Sequence, residues 1–147
     1  FEDSYLLFAL PKFDYSLKKQ LIGQKKIYSI DSGFISANSA SFTGDKGRIL
    51  ENVVFLHLRR RFNDLFYFKE NNECDFVVKE KNKVTSAIQV CLELTDDNKT
   101  RELNGLSECL KKLGLQTGLI LTHNQEDEFA LEGRKVLVKP VWKWMLE

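Results

Sequence analysis

Residues 46–61, KGRILENVVFLHLRRR, place apolar side chains at helical spacing. Ile49, Leu50, Val53, Val54, Leu56 and Leu58 form a broad apolar face, which predicts a helix capped by Asp45 or Thr43. The period then changes. Three stretches, 64–70 (DLFYFKE), 73–79 (ECDFVVK) and 84–94 (VTSAIQVCLEL), predict strands, with tight turns at Asn71-Asn72 and Lys81-Asn82-Lys83. Helical spacing returns at Leu103, Leu106, Leu110 and Leu113, which predicts a helix from about Lys99 to Leu113, stopped by Gly114. TGLILT (117–122) reads as a buried strand, parallel to a neighbour because a helix crosses over to it. Residues 134–146 add a further strand and a short tail carrying Trp142 and Trp144.

Ahead of residue 46 the pattern is less regular. YLLFAL is an apolar segment that ends at Pro11, and KKQLIGQKK reads as basic and exposed. KIYSIDSGF (26–34) predicts a short buried strand with a turn starting at Asp31-Ser32-Gly33. Residues 36–47, rich in Ser, Asn and Gly, predict a loop. Its TGDKG lacks the Gly-Lys-Ser/Thr ending of a phosphate loop. From residue 46 the order is helix, three strands, helix, strand, which predicts an α/β fold layered around a mixed sheet. The chain divides into an N-terminal extension and strand, 1–35, and an α/β domain, 36–147.

Composition narrows the class. The 147 residues are 43% hydrophobic and 12% aromatic, enough for a folded core in one domain. A net charge of +1 neither favours nor excludes nucleic acid, which is bound through local patches. Arg59-Arg60-Arg61 and Lys25-Lys26 are such local candidates for phosphate contacts. Cys74, Cys91 and Cys109 are odd in number and lack CxxC spacing, so reduced thiols in the cytoplasm are expected. His57 and His123 form no zinc motif. No apolar run approaches the ~18 residues of a membrane span, and no signal peptide is visible. The chain starts on Phe and reads as part of something longer.

Two acids stand out. Glu51 has Val54, Phe55 and Leu58 as its helical neighbours, so its own stripe is apolar and its carboxylate needs a partner. On the strand 73–79, Cys74, Phe76 and Val78 share an apolar face by alternation, and Asp75 points the other way. On the next strand Ala87, Gln89, Cys91 and Glu93 share a face, and a hairpin register can bring Gln89 onto the side of Asp75. Two carboxylates and an amide oxygen make a hard oxygen site suited to Mg²⁺ or Mn²⁺. Taken singly, a helix acid also complements the dipole, and a strand acid also marks an edge.

As a set, GRILENVVFLHLRRR, NECDFVV, AIQV and TRELNGL resemble the PD-(D/E)XK nuclease superfamily, in particular its Holliday-junction-resolvase-like branch. They resemble most the domain of unknown function at the C-terminus of a group of prokaryotic AAA-type ATPases, as do KKIYSIDSGF and PVWKWML. The resemblance covers nearly the whole chain. It implies a restriction-endonuclease-like αβββαβ core with a mixed sheet, an ATPase domain upstream and no ATP binding by this chain alone. It also implies a Mg- or Mn-dependent endonuclease site, with Glu51 as the helix acid and Asp75 as the central metal-binding acid. Gln89 falls at the second strand acid, and Cys91 at the lysine. Those two departures remove one charge of each sign, which weakens metal binding and the stabilisation of phosphate. Lys79, Lys99 and Arg101 are candidate replacements for the lysine, and Arg101 matches the family pattern. The expected site is thus Glu51, Asp75, Gln89 and Arg101, with Glu51, Asp75 and Gln89 as metal ligands. Three readings remain open: a weak metal-dependent DNA endonuclease, an inactive DNA-binding, interaction or regulatory module of the ATPase, and a purely structural role for the acids. DNA, the ATPase domain and a second copy of the chain are the candidate partners.

Overall fold

A computed structural model describes residues 6–33 and 45–147. Strands β1 (Leu7–Pro11) and β2 (Lys25–Ser29) pair antiparallel, with the short helix α1 (Leu17–Ile22) between them. Then come helix α2 (Asp45–Arg61), strands β3 (Asp64–Lys69), β4 (Glu73–Glu80) and β5 (Lys83–Val90), and helix α3 (Asp96–Leu113). Strands β6 (Thr117–Thr122), β7 (Asp127–Leu131) and β8 (Arg134–Pro140) and helix α4 (Val141–Trp144) complete the described chain. The main sheet has six strands in the order β3-β4-β5-β6-β8-β7. It is mixed, as expected: β5-β6 and β6-β8 run parallel, and the other pairs run antiparallel.

Each face of the sheet has its own core. Val54, Phe55 and Leu58 of α2 pack on Phe76, Ile88 and Leu121, together with Leu10 and Tyr28 from the β1–β2 hairpin. On the opposite face Leu106, Cys109 and Leu110 of α3 pack on Val77, Ala87, Ile120 and Val136. The hairpin is anchored to the main sheet where the Phe13 N–H donates to the Tyr67 carbonyl at 2.7 Å. None of the described helices is long and apolar enough to cross a membrane.

Several boundaries differ from the expectation. β5 ends at Val90, so Glu93 lies beyond the strand. α3 starts at Asp96 rather than Lys99, because the Thr95 N–H donates to Asn98 Oδ1 at 2.8 Å and closes the first turn. β7 and α1 were not predicted. β7 is an edge strand with few apolar residues, and Glu132 and Gly133, at φ 50° and 78°, turn it into β8. α1 buries no residue at all. Thr43, most of the loop expected over 36–47, Phe34 and Tyr5 lie outside the described residues, and residues 45–47 of that loop belong to α2.

A register change determines where the acids point. Phe66 lies opposite Val77 but Phe68 lies opposite Cys74, so β4 carries one extra residue, a β-bulge. Alternation fails across it. Phe76 and Val78 join the α2-side core, whereas Cys74 joins the α3-side core with Val77. The shared face expected for Cys74, Phe76 and Val78 is thereby corrected, and Asp75 is turned towards the α2 layer. The start of β4 is also held from the other side. A Cβ on Gly105 of α3 would lie 2.0 Å from the Glu73 carbonyl oxygen, so only glycine permits this approach. One turn on, the Glu108 carboxylate accepts from the backbone N–H groups of Asn71 and Asn72 at 3.0 and 2.7 Å.

Candidate functional site

Asn52 sets the geometry of the centre. It is 1% exposed, and its side chain pairs with the Ser29 backbone, accepting from N–H at 2.9 Å and donating to C=O at 3.0 Å. β2 is thereby fixed alongside α2. Lys26 and Tyr28, two residues apart, share a strand face and point inward. The Tyr28 ring stacks on Phe55 with centroids 4.2 Å apart, and its hydroxyl donates to Glu51 Oε1 at 2.6 Å. The Lys26 ammonium lies 3.1 Å from Glu51 Oε1, 2.7 Å from Glu73 Oε1 and 3.0 Å from Asp75 Oδ1. An ammonium has three N–H donors, and three carboxylates take them.

Asp75 is buried and held at both oxygens. Oδ2 accepts from the Val90 N–H at 2.8 Å, so the carboxylate also caps the end of β5. Burial and the neighbouring Glu51 push its carboxyl up to about 7, against the opposing pull of Lys26 and the Val90 N–H. Burial opposes the charge on Lys26, but Asp75 and Glu51 outweigh it and hold the ammonium protonated well above the usual lysine range. Burial and Glu51 likewise raise the Tyr28 phenol. Glu73 also lies 3.6 Å from Lys69 Nζ, so the cluster sets three carboxylates against two ammonium groups.

On the α3 side a second polar chain begins at Gln89. Its Oε1 accepts from the Asp75 backbone N–H at 3.3 Å, and its amide donates to Glu102 Oε2 at 2.6 Å. The other oxygen of Glu102 accepts from Arg101 Nη2 at 2.6 Å. Glu102 is buried, whereas the Arg101 side chain is 79% exposed. Cys91 is buried beside this chain, where burial, then Glu102 and Asp75, push its thiol up to about 12. At neutral pH it is a small neutral group.

The four residues expected from sequence, Glu51, Asp75, Gln89 and Arg101, do border one cavity of about 410 Å³, together with Glu73 and Glu102. The Gln89 oxygen does not join those of Glu51 and Asp75. Glu51 and Asp75 turn to Lys26, and the Gln89 oxygen turns to backbone. With the Lys26 ammonium among the acids, no group of three His, Cys, Asp or Glu among the described residues is arranged to hold a metal ion. The expected Glu51, Asp75 and Gln89 trio therefore does not fit Mg²⁺ or Mn²⁺ in this arrangement. Of the three cations considered for Asp75, Lys99 lies over the Phe129 ring, 5.5 Å from its centroid, Arg101 pairs with Glu102, and Lys79 is half-buried farther along β4. Among the described residues the cation that pairs with Asp75 is Lys26. Of the basic surface residues, Arg59 stacks over Phe8 at 4.0 Å, and Arg61 approaches His57 Nε2 at 3.1 Å.

Sequence reasoning missed Lys26, Tyr28, Asn52, Glu73 and Glu102 as members of the centre. One signal was available. If Tyr28 faces the core in KKIYS, alternation carries Lys26 with it and turns Ile27 outward, where it is 58% exposed.

Residues 46–144 match the family model described as Domain of unknown function (DUF4143). An uncharacterized protein of Methanocaldococcus jannaschii is 41% identical over 157 residues, covering 99% of this chain and 34% of its own length. This chain thus spans about a third of that relative. No solved structure matches. The matched residues include Glu51, Asp75, Gln89 and Arg101 but begin after the lysine-bearing hairpin. With more than half of its length covered by the model, the chain belongs to the DUF4143 family.

Proposed function

We propose that this chain is a nuclease-like module of a longer, ATP-hydrolysing protein, and that it works by interaction and regulation rather than by cutting. One observation carries the reading: the three carboxylates of the centre are satisfied by Lys26. A phosphodiesterase of this class uses its acids to hold a metal ion that polarises the attacking water. Here the acids are engaged by an internal ammonium, and the second strand acid is Gln89. The residue at the lysine position, Cys91, is a buried neutral thiol. The ATPase context rests on the sequence resemblance and on a relative about three times the length of this chain.

A second reading, action on DNA, is favoured by the cavity that Glu51, Asp75, Gln89 and Arg101 share. The two are separated by incubating branched and linear DNA with the protein and Mg²⁺ or Mn²⁺. The module reading expects no cleavage above that of Asp75→Ala. Cleavage that is lost in Asp75→Ala would establish the second reading. If DNA is bound without being cut, affinity should fall steeply with salt and survive Asp75→Ala.

A further inference from the structure

We propose that Lys26 is the resident cation of this centre and that it competes with a divalent metal ion for the oxygens of Glu51, Glu73 and Asp75. The inference rests on the nuclease-like reading of the centre. The three oxygens come from three places: the apolar stripe of α2, the first residue of β4 and the β4 bulge. They meet at one nitrogen, at 3.1, 2.7 and 3.0 Å. Those are ammonium hydrogen-bond lengths, whereas Mg²⁺ takes its oxygens at about 2.0–2.1 Å. An ion and Nζ cannot share the point, because their charges repel and the oxygen shell cannot serve both. The acids belong to the α2 helix and the main sheet. The lysine belongs to the β1–β2 hairpin, a separate two-stranded sheet. The cation is thus supplied by one part of the chain and the oxygen cage by another. The cage also has a route for an ion, since Glu51, Glu73 and Asp75 border the solvent-facing cavity of about 410 Å³.

The arrangement also accounts for Tyr28. Its hydroxyl donates to the same Glu51 oxygen that faces Lys26. It therefore orients Glu51 towards the ammonium and anchors the lysine-bearing strand. Lys26 is a positioning and charge-balancing residue in this account.

The test is a Mn²⁺ titration by calorimetry of the wild type, Lys26→Met and Lys26→Met/Asp75→Asn. Methionine keeps the length of the side chain and removes its charge. The expected result is weak, unsaturated binding by the wild type, a gain on the order of ten-fold or more in Lys26→Met, and loss of that gain in the double variant. If Lys26→Met is unfolded without metal, Mn²⁺-dependent recovery of its circular dichroism reads the same gain, because binding and folding are then linked. Equal Mn²⁺ affinity in wild type and Lys26→Met would overturn the proposal, as would an unfolded Lys26→Met that Mn²⁺ does not rescue. Metal-dependent DNA cleavage by the wild type would instead overturn the non-cutting reading, so the two failures are distinguishable.

Discussion

Asp75 and Gln89 are near neighbours on adjacent strands, yet each belongs to a different polar system. Asp75 turns to the α2 layer, where charge faces charge: three carboxylates meet one ammonium, and a neutral phenol donates to Glu51. Gln89 turns to the α3 layer, where a neutral amide joins the Asp75 backbone to a buried Glu102, which is itself paired at the surface with Arg101. Among the described residues no buried side-chain nitrogen or oxygen lacks a partner. Each side is complete by itself. A metal centre built from Glu51, Asp75 and Gln89 would need oxygens from both systems to meet at one point, and each system holds its own. The pair of strands whose sequence resembles a nuclease motif is the boundary between the two networks.

The comparison can be broken most strongly on the charged side. Lys26→Met leaves three carboxylates without their shared cation. Breaking a buried pair costs about 3–5 kcal/mol, and partial exposure of the ammonium brings the expected loss to about 2–3 kcal/mol by denaturant unfolding at neutral pH. The loss should shrink below about pH 7 as Asp75 protonates. A loss no larger than that of a surface lysine would contradict the balance described here.

On the α3 side the largest effect is expected from packing. Gly105→Ala drives a methyl into the Glu73 carbonyl, which is backbone and cannot step aside. About 2 kcal/mol of stability should be lost as α3 lifts from β4. Gln89→Glu comes next. It restores the acid that the nuclease resemblance expects, but places it against Glu102. A loss of about 1–2 kcal/mol at pH 7, relieved below pH 5, is expected from thermal melts across pH. A neutral or stabilising Gln89→Glu at pH 7 would show that the α3 side accepts a second charge.

A pH dependence sharpens the assignment of Asp75. Its carboxyl is raised from the ordinary 3.8 to about 7, so the folded state binds more protons than the unfolded state between those values. Stability from this group is therefore fullest below about pH 4 and is lost as pH rises through about 7. Subtracting the stability–pH curve of Asp75→Asn from that of the wild type should isolate this downward slope. A difference that rises with pH over the same window would mean that Asp75 is an ordinary stabilised carboxylate.

Much of the α/β order was legible in the sequence because it rests on strong periodicity. The Leu103 to Leu113 stripe, the Gly114 stop in its left-handed conformation at φ 70° and the three strands after α2 all follow from local chemistry. Glu51 was legible as an acid in need of a partner. The identity of that partner was not, because Lys26 lies 25 residues earlier on a strand held in place by Asn52. A lysine also reads as surface by type. The bulge in β4 was equally hidden. One inserted residue reverses which face each side chain takes, and nothing in ECDFVV announces it. The β7 edge strand was missed because only the partly buried Phe129 and Leu131 mark its inward face.

The most direct measurement of the central claim is a double-mutant cycle on Lys26 and Asp75, using Lys26→Met, Asp75→Asn and the double variant in denaturant unfolding at pH 8. If Lys26 is the cation that Asp75 is built around, the effects of the two substitutions are strongly non-additive. A coupling of about 1.5 kcal/mol or more is expected, with the double variant more stable than the sum of the single losses. Losses that add to within about 0.5 kcal/mol would contradict the account and return the acids to the search for another cation.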